Sequence, residues 1–156
     1  MAEAAQLADV SQWVTFKLGA ETYGVNVMQV QEVLRVSEIA PVPGAPDYVL
    51  GIINLRGNVV SVLDIRLRFG LQQKTADDTT RIIIIELESQ TIGILVDSVA
   101  EVEDVQSGEV DTAPAVGNEE SSRYIAGIVS RPNGLLILVD VQRLLSEQQW
   151  QDVESI

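Results

Sequence analysis

GIINLRGNVVSVLD, Gly51–Asp64, decides how this chain is read. Two aliphatic runs of strand length flank Asn54-Leu55-Arg56-Gly57-Asn58, a polar break holding the Gly that a tight hairpin turn favours. The second run closes on Asp64, a side chain suited to capping the short helix that IRLRF would start. The block extends beyond the hairpin and occurs twice. Set ungapped, Tyr48–Phe69 (YVLGIINLRGNVVSVLDIRLRF) and Tyr124–Leu145 (YIAGIVSRPNGLLILVDVQRLL) share Tyr48/Tyr124, Gly51/Gly127, Ile52/Ile128 and Asp64/Asp140. Many of the remaining pairs exchange one aliphatic for another. An earlier block repeats in the same order: Tyr23–Val33 (YGVNVMQVQEV) over Ile92–Val102 (IGILVDSVAEV) matches Gly24/Gly93, Val27/Val96, Val30/Val99, Glu32/Glu101 and Val33/Val102. Two blocks in one order argue for an internal duplication whose halves meet near QQKTADDTT, Gln72–Thr80.

Each half reads as five short strands. The first half predicts Trp13–Leu18, Thr22–Val27, Gln31–Val36, Gly51–Leu55 and Val59–Asp64. The second predicts Arg81–Glu88, Thr91–Val96, Ala100–Val105, Ala126–Ser130 and Leu135–Val139. Such strands with tight turns and few helices indicate a mainly β fold of two small five-stranded barrels related by a pseudo-two-fold duplication. The first barrel is expected at about 13–71 and the second at about 80–140, with a C-terminal helix over about 141–154 and a flexible tail over 1–11. RIIIIEL does not alternate, so that strand is expected to be buried on both faces where the halves pack. Pro46–Gly51 reads as one helical turn, with a matching turn near Tyr124. Gln106–Arg123, where the second half carries its extra residues, reads as a mobile polar loop.

Composition removes whole classes of function. The 156 residues contain no Cys and no His, so there is no thiol nucleophile, no disulfide, no Cys/His zinc site and no Ser-His-Asp triad. With 23 acidic and 10 basic residues the net charge is −13, which repels phosphate backbones and argues against nucleic-acid binding. The start MAEAAQLADVSQ lacks the basic region and apolar run of a secretory signal. The longest aliphatic runs, Ile82–Ile85 and Leu135–Val139, fall far short of the about 20 residues that cross a bilayer. The expectation is a cytoplasmic protein with no catalytic residues, no cofactor, no metal and no direct membrane insertion.

Several local features invite a functional reading. Asp77-Asp78 resembles a phosphoacceptor pair but precedes a strand rather than closing one, so it reads as a solvated loop. Ser37–Asp47 holds three of the five prolines and reads as a rigid connector rather than an SH3 ligand. Val30, Val33, Val99 and Val102 hold equivalent places in the halves. Each could be core; together, about a pseudo-two-fold axis, they could line an apolar groove for a partner helix. Glu32 lies between two of them, with its carboxylate expected on an opposite, wet face and within reach of Arg56. A small oligonucleotide- or sugar-binding barrel remains an alternative, but it would cluster basic and aromatic residues, whereas Trp13 and Trp150 stand near opposite ends of the chain.

GIINLRG followed by VVSVLDIRLRFG and preceded by YGVNVMQVQEV resembles the CheW family of chemotaxis coupling proteins over residues about 12–147. The second half agrees through GILVDSVAEV, a Y-x-x-G segment and LLILVDV. The resemblance implies a single stand-alone domain of two SH3-like barrels that acts as a non-catalytic adaptor. It would join the cytoplasmic tips of chemoreceptors (methyl-accepting chemotaxis proteins) to the C-terminal regulatory domain of the histidine kinase CheA, in arrays that leave room for contacts between CheW copies. Val30, Glu32, Val33, Gly51, Arg56, Val99, Val102 and Gly127 fall on positions the family uses for receptor or kinase contact. Pro132 stands where the first half has Arg56, so the two hairpins should not be equivalent. A coupling protein of another chemosensory pathway, such as one driving surface motility, would carry the same resemblance.

Overall fold

In the computed structural model, which describes residues 10–36, 38–88, 90–111 and 123–155, the aliphatic runs are strands and the polar breaks are tight turns. The first half supplies β1 (Val10–Leu18), β2 (Glu21–Asn26), β3 (Val30–Arg35), β4 (Val49–Leu55) and β5 (Asn58–Asp64), then α1 (Ile65–Arg68). The second supplies β6 (Arg81–Glu86), β7 (Thr91–Val96), β8 (Ser98–Gln106), β9 (Val110–Asp111), β10 (Ile125–Arg131), β11 (Gly134–Val139) and α2 (Glu147–Glu154). One sheet runs β8-β1-β2-β11-β10-β9 and the other β3-β6-β7-β5-β4. Neither closes into a complete barrel. Ala40 bridges Ile52 beyond β4, at the place where Asp111 pairs with the equivalent Ile128 of β10.

The sheets correct the expectation of contiguous barrels at 13–71 and 80–140. β1 and β2 of the first half lie in a sheet with β8 to β11 of the second, while β6 and β7 join β3, β4 and β5. The exchange is sealed by two equivalent parallel pairs, β2 with β11 and β5 with β7. Parallel neighbours require a crossover rather than a hairpin: β2 reaches β11 only after the chain has built the other sheet, and β5 reaches β7 through α1 and β6. A duplicated sequence offers each strand two partners of nearly equal complementarity, so the pattern alone does not choose between them.

The exchange explains why β6 is apolar throughout. Ile82, Ile83, Ile84 and Ile85 are all wholly buried. Ile83 and Ile85 join Phe16, Leu18, Tyr23 and Val25 in a core shared by both sheets. Ile82 and Ile84 face the other way, into the second sheet's own cluster with Ile53, Val60 and Val62. Each such side chain stabilises the fold by about 1.5–3 kcal/mol. A cross-sheet clasp accompanies the core: Arg66 Nη1 donates to Asp97 Oδ2 at 2.6 Å, and the same oxygen accepts from the Gly19 N–H at 2.8 Å.

The repeat is equally visible in the caps. The N–H groups of Asp64 and Asp140 donate to the carbonyls of Tyr48 and Tyr124, both at 2.8 Å. Their carboxylates accept from the N–H of Arg66 (3.0 Å) and of Gln142 (3.1 Å). The expected continuous helix over 141–154 is interrupted. A 3-10 turn spans Val141–Arg143, Leu144 and Leu145 sink into the shared core, and Ser146 opens α2 with a capping box to Gln149. Strand β1 begins at Val10, shortening the expected tail; residues 1–9 lie outside the described residues, as do residues 112–122 of the expected mobile loop. The Val49 N–H bonds the Pro46 carbonyl in the expected single turn, while Gly44, at φ 82, places Val42–Ala45 in a turn rather than a polyproline helix.

Asp64 is 3 % exposed, and desolvation, the largest influence on it, raises its carboxyl pKa against the opposing N–H bonds of Arg66 and Leu67. A raised folded pKa means that ionisation opposes folding, and that this cost fades as the pH falls and the folded carboxyl takes up its proton. Asp64→Asn keeps the cap acceptor without the charge. It should be as stable as the parent or more so at neutral pH in urea melts, with the gap closing at about pH 4. A clear loss of stability at neutral pH would show that the charge is favourable there.

Candidate partner-binding surfaces

The β4–β5 hairpin turns on only two residues, Arg56 and Gly57, between the paired Leu55 and Asn58. Both have positive φ, 51° and 88°, the backbone of a type I′ turn whose twist matches the strands it joins. Asn54 Oδ1 braces the turn by accepting from the Gly57 N–H at 2.8 Å. Asn, Asp and Gly favour the left-handed position; here an Arg holds it, the one non-glycine with positive φ among the described residues. The side chain, not the backbone, therefore accounts for its presence. Its guanidinium grips Glu32 bidentately, Nη1 to Oε2 and Nη2 to Oε1, both at 2.7 Å. The Arg56 side chain stays 70 % exposed, so the charge is oriented by Glu32 yet still presented to solvent.

The second hairpin is built differently, as the Pro132 substitution implied. Pro132 and Asn133 form its loop and the positive φ falls on Gly134. Arg131, one position earlier than the counterpart of Arg56, folds back between Glu103 (3.2 Å) and Glu109 (2.8 Å). Only 22 % of that side chain is exposed, so this hairpin offers no free cation.

The four valines lie on β3 and β8, the equivalent edge strands of the two sheets. Val30 and Val33 sit opposite Ile85 and Ile83, and Val99 opposite Phe16, all members of the shared core. The valines therefore occupy the faces that each sheet turns towards the other. Val30 and Val99 pack against the core, whereas Val33 and Val102 are 39 % and 51 % exposed. Glu32 is on the opposite face, as expected, but that face is not fully wet: beside Leu34, which packs on the second sheet's own cluster, the Glu32 side chain is only a quarter exposed.

Gly51 and Gly127 are buried, and the reason is the same in both halves. A Cβ on Gly51 would lie 2.3 Å from the Ala40 carbonyl oxygen; one on Gly127 would lie 2.3 Å from Val110 Cγ1. Each glycine lets a neighbouring segment cross close over its strand. Of the exposed apolar residues that escaped the sequence reading, Val10, Met28, Val59 and Leu135, the last two (64 % and 49 %) stand one position past each hairpin. They hold equivalent places in the repeat and line equivalent clefts, of about 480 Å³ beside Arg56 and about 210 Å³ beside Arg131. Val153 and Glu154 of α2 wall the first cleft but not the second. The signal was present as Val59-Val60 and Leu135-Leu136: of two adjacent apolar residues on a one-sided strand, one must face outward.

The family profile described as CheW-like domain matches residues 12–149. The chain is 33% identical to the chemotaxis protein CheW of Treponema pallidum (strain Nichols), over 93% of this chain and 88% of that protein. It is 31% identical to the chemotaxis protein CheW of Bacillus subtilis (strain 168), over 94% of each. Among solved structures it resembles the scaffolding protein TtCheW from Thermoanaerobacter tengcongensis, with a TM-score of 0.80 and 30% identity over 89% of this chain and 90% of that one.

Gly51→Ala should destabilise the fold by about 3 kcal/mol, at the upper end of overpacking costs, because the new methyl meets rigid backbone. Gly127→Ala should cost about 1 kcal/mol, since a valine methyl can rotate aside; equal costs in denaturant melts would contradict the crossing geometry. Arg56→Asn should hold or raise the thermal midpoint, because Asn suits the left-handed turn better. A marked fall would mean that the pair with Glu32 contributes more to the fold than the turn does.

Proposed function

This chain belongs to the CheW-like family, and from that membership we propose that it is a chemotaxis scaffold coupling the cytoplasmic tips of chemoreceptors to the histidine kinase CheA by binding alone. The observation that carries the reading is the set of exposed groups held in place without any catalytic arrangement: an oriented Arg56 and paired apolar residues on equivalent surfaces. With no His and no Cys, the chain lacks the imidazole base and the thiol nucleophile. Each exposed valine or leucine that a partner covers contributes about 25 cal/mol per Å² before ordering costs. Moderate, reversible affinity is the expected result.

The surfaces divide by shape. The edge valines Val33 and Val102, backed by Val30 and Val99, suit the apolar stripe of a receptor helix. The hairpin end with Arg56 and Val59 suits the regulatory domain of the kinase, with Glu32 fixing the guanidinium for a carboxylate there. Glu32, Gly51 and Gly127 act from behind, through the Arg56 pair and the two crossings. Localisation follows from these partners: no described helix is long and apolar enough to cross a membrane, and receptor binding would recruit the chain to membrane-associated arrays.

Calorimetric titration of the chain with the isolated C-terminal regulatory domain of the host's CheA should show saturable one-to-one binding. Absence of binding, with both samples folded, would sink the coupling reading. Arg56→Asn should weaken that binding at least fivefold. Val102→Asp should weaken binding of a receptor cytoplasmic hairpin at least tenfold and leave the circular dichroism unchanged. Val99→Asp should also lower the melting temperature, because that side chain packs on the core.

A further inference from the structure

The two valine edges end in opposite charge. On β3 the face that carries Val33 continues to Arg35, which is exposed and lies directly opposite Arg81 of β6. The register that aligns Val33 with Val102 aligns Arg35 with Asp104 and Arg81 with Gln12. On β8, Asp104 lies opposite Gln12 and accepts its amide hydrogen bond at 3.1 Å. One edge therefore ends in two cations where its counterpart ends in a single carboxylate hydrogen-bonded to a neutral amide.

Like charges directly opposite on an antiparallel pair repel. The pair stands in a chain of net charge −13, where carboxylates are plentiful. Among the described residues, however, neither guanidinium meets one. Arg81 donates to the carbonyls of Asp78 (2.7 Å) and Thr80 (2.9 Å), which hold it in place without cancelling its charge. Arg35 has no side-chain hydrogen bond or ion pair among those residues. Arg56, Arg66 and Arg131 are all carboxylate-bound. An unneutralised cationic pair beside an exposed valine is complementary to a partner bearing an apolar residue and an acid.

We propose that Arg35 and Arg81 form a carboxylate-reading fork at one end of the receptor-binding edge, and that they fix the direction in which a receptor helix lies there; this rests on the receptor reading above. Val33 and Arg35, two residues apart on a strand, are separated by about 6.6 Å. That is close to the rise of about 6 Å between positions i and i+4 of a helix. The occupant is thus a helix with an apolar residue and a Glu or Asp four positions apart. The same helix turned end for end would carry its acid away from both guanidiniums, towards the end of β3 where Gln31 is bound to Glu86.

Titration of the full chain with an isolated receptor cytoplasmic hairpin tests this. Arg35→Glu should fold normally, since Glu there pairs across the strand with Arg81, and should weaken binding at least tenfold. Changing the matching receptor acid to Lys should restore it. Arg143→Glu makes the same change in net charge at an exposed site and should shift affinity no more than about twofold. Arg35→Glu binding like the parent, or Arg143→Glu weakening it equally, would overturn the fork alone. A parent chain that does not bind the hairpin at all would overturn the receptor reading, and the fork with it.

Discussion

The constraint on which the rest depends is that neither half of this chain can complete its own sheet. β1 and β2 lie beside β11 and β8 from the far half, and β6 and β7 lie beside β5 and β3 from the near one. The shared core of Phe16, Tyr23, Ile83, Ile85, Ile92 and Ile94 is therefore not an interface between two finished barrels but the interior of one folding unit. The clasp of Arg66 and Asp97 to the β1–β2 turn crosses the same boundary. Separating the halves would strip strands from both sheets, and rigidity between the two surfaces follows directly. A scaffold that must hold two partners in fixed relation gains what it needs from that arrangement.

On this pseudo-symmetric frame the two halves have diverged where partners would touch. The caps, the crossings at Gly51 and Gly127, and the outward apolar positions Val33/Val102 and Val59/Leu135 are preserved. The charged groups are not. Arg56 projects from one hairpin while Arg131 is folded away between two glutamates at the other. α2 walls the cleft beside Arg56 and leaves the equivalent cleft open. Apolar burial supplies affinity without telling one partner from another, whereas charge placement discriminates. Duplication thus provides two similar candidate surfaces, and the polar substitutions make them different ones.

Much of this was legible in the chain itself. The repeat, the ten principal strands, the Asp64 and Asp140 caps and the double burial of Ile82–Ile85 follow from local rules: strand alternation, turn chemistry and capping. The Glu32–Arg56 pair was expected from the opposite charges, but its 24-residue separation is closed only by the fold. Family membership was legible for the same reason, since its signature lies in a hairpin whose residues are adjacent in sequence. The surface roles were less so. The same alternation that places Val33 on one face of β3 is compatible with core or solvent, and only the sheet order makes β3 an edge.

What the sequence determined by itself, then, was each element and its internal symmetry, because those depend on neighbours a few residues apart. What only the tertiary structure decided was which copy of each strand pairs with which, and hence which valines are covered and which stand at a rim. Two similarly patterned sets of strands have two near-equivalent ways to pair. Choosing between them depends on the crossovers of the whole chain and on a core assembled from both halves at once. The opposed Arg35 and Arg81 belong to that second category: they are 46 residues apart in the chain (81 minus 35) and meet only because β3 is completed by a strand from the other half.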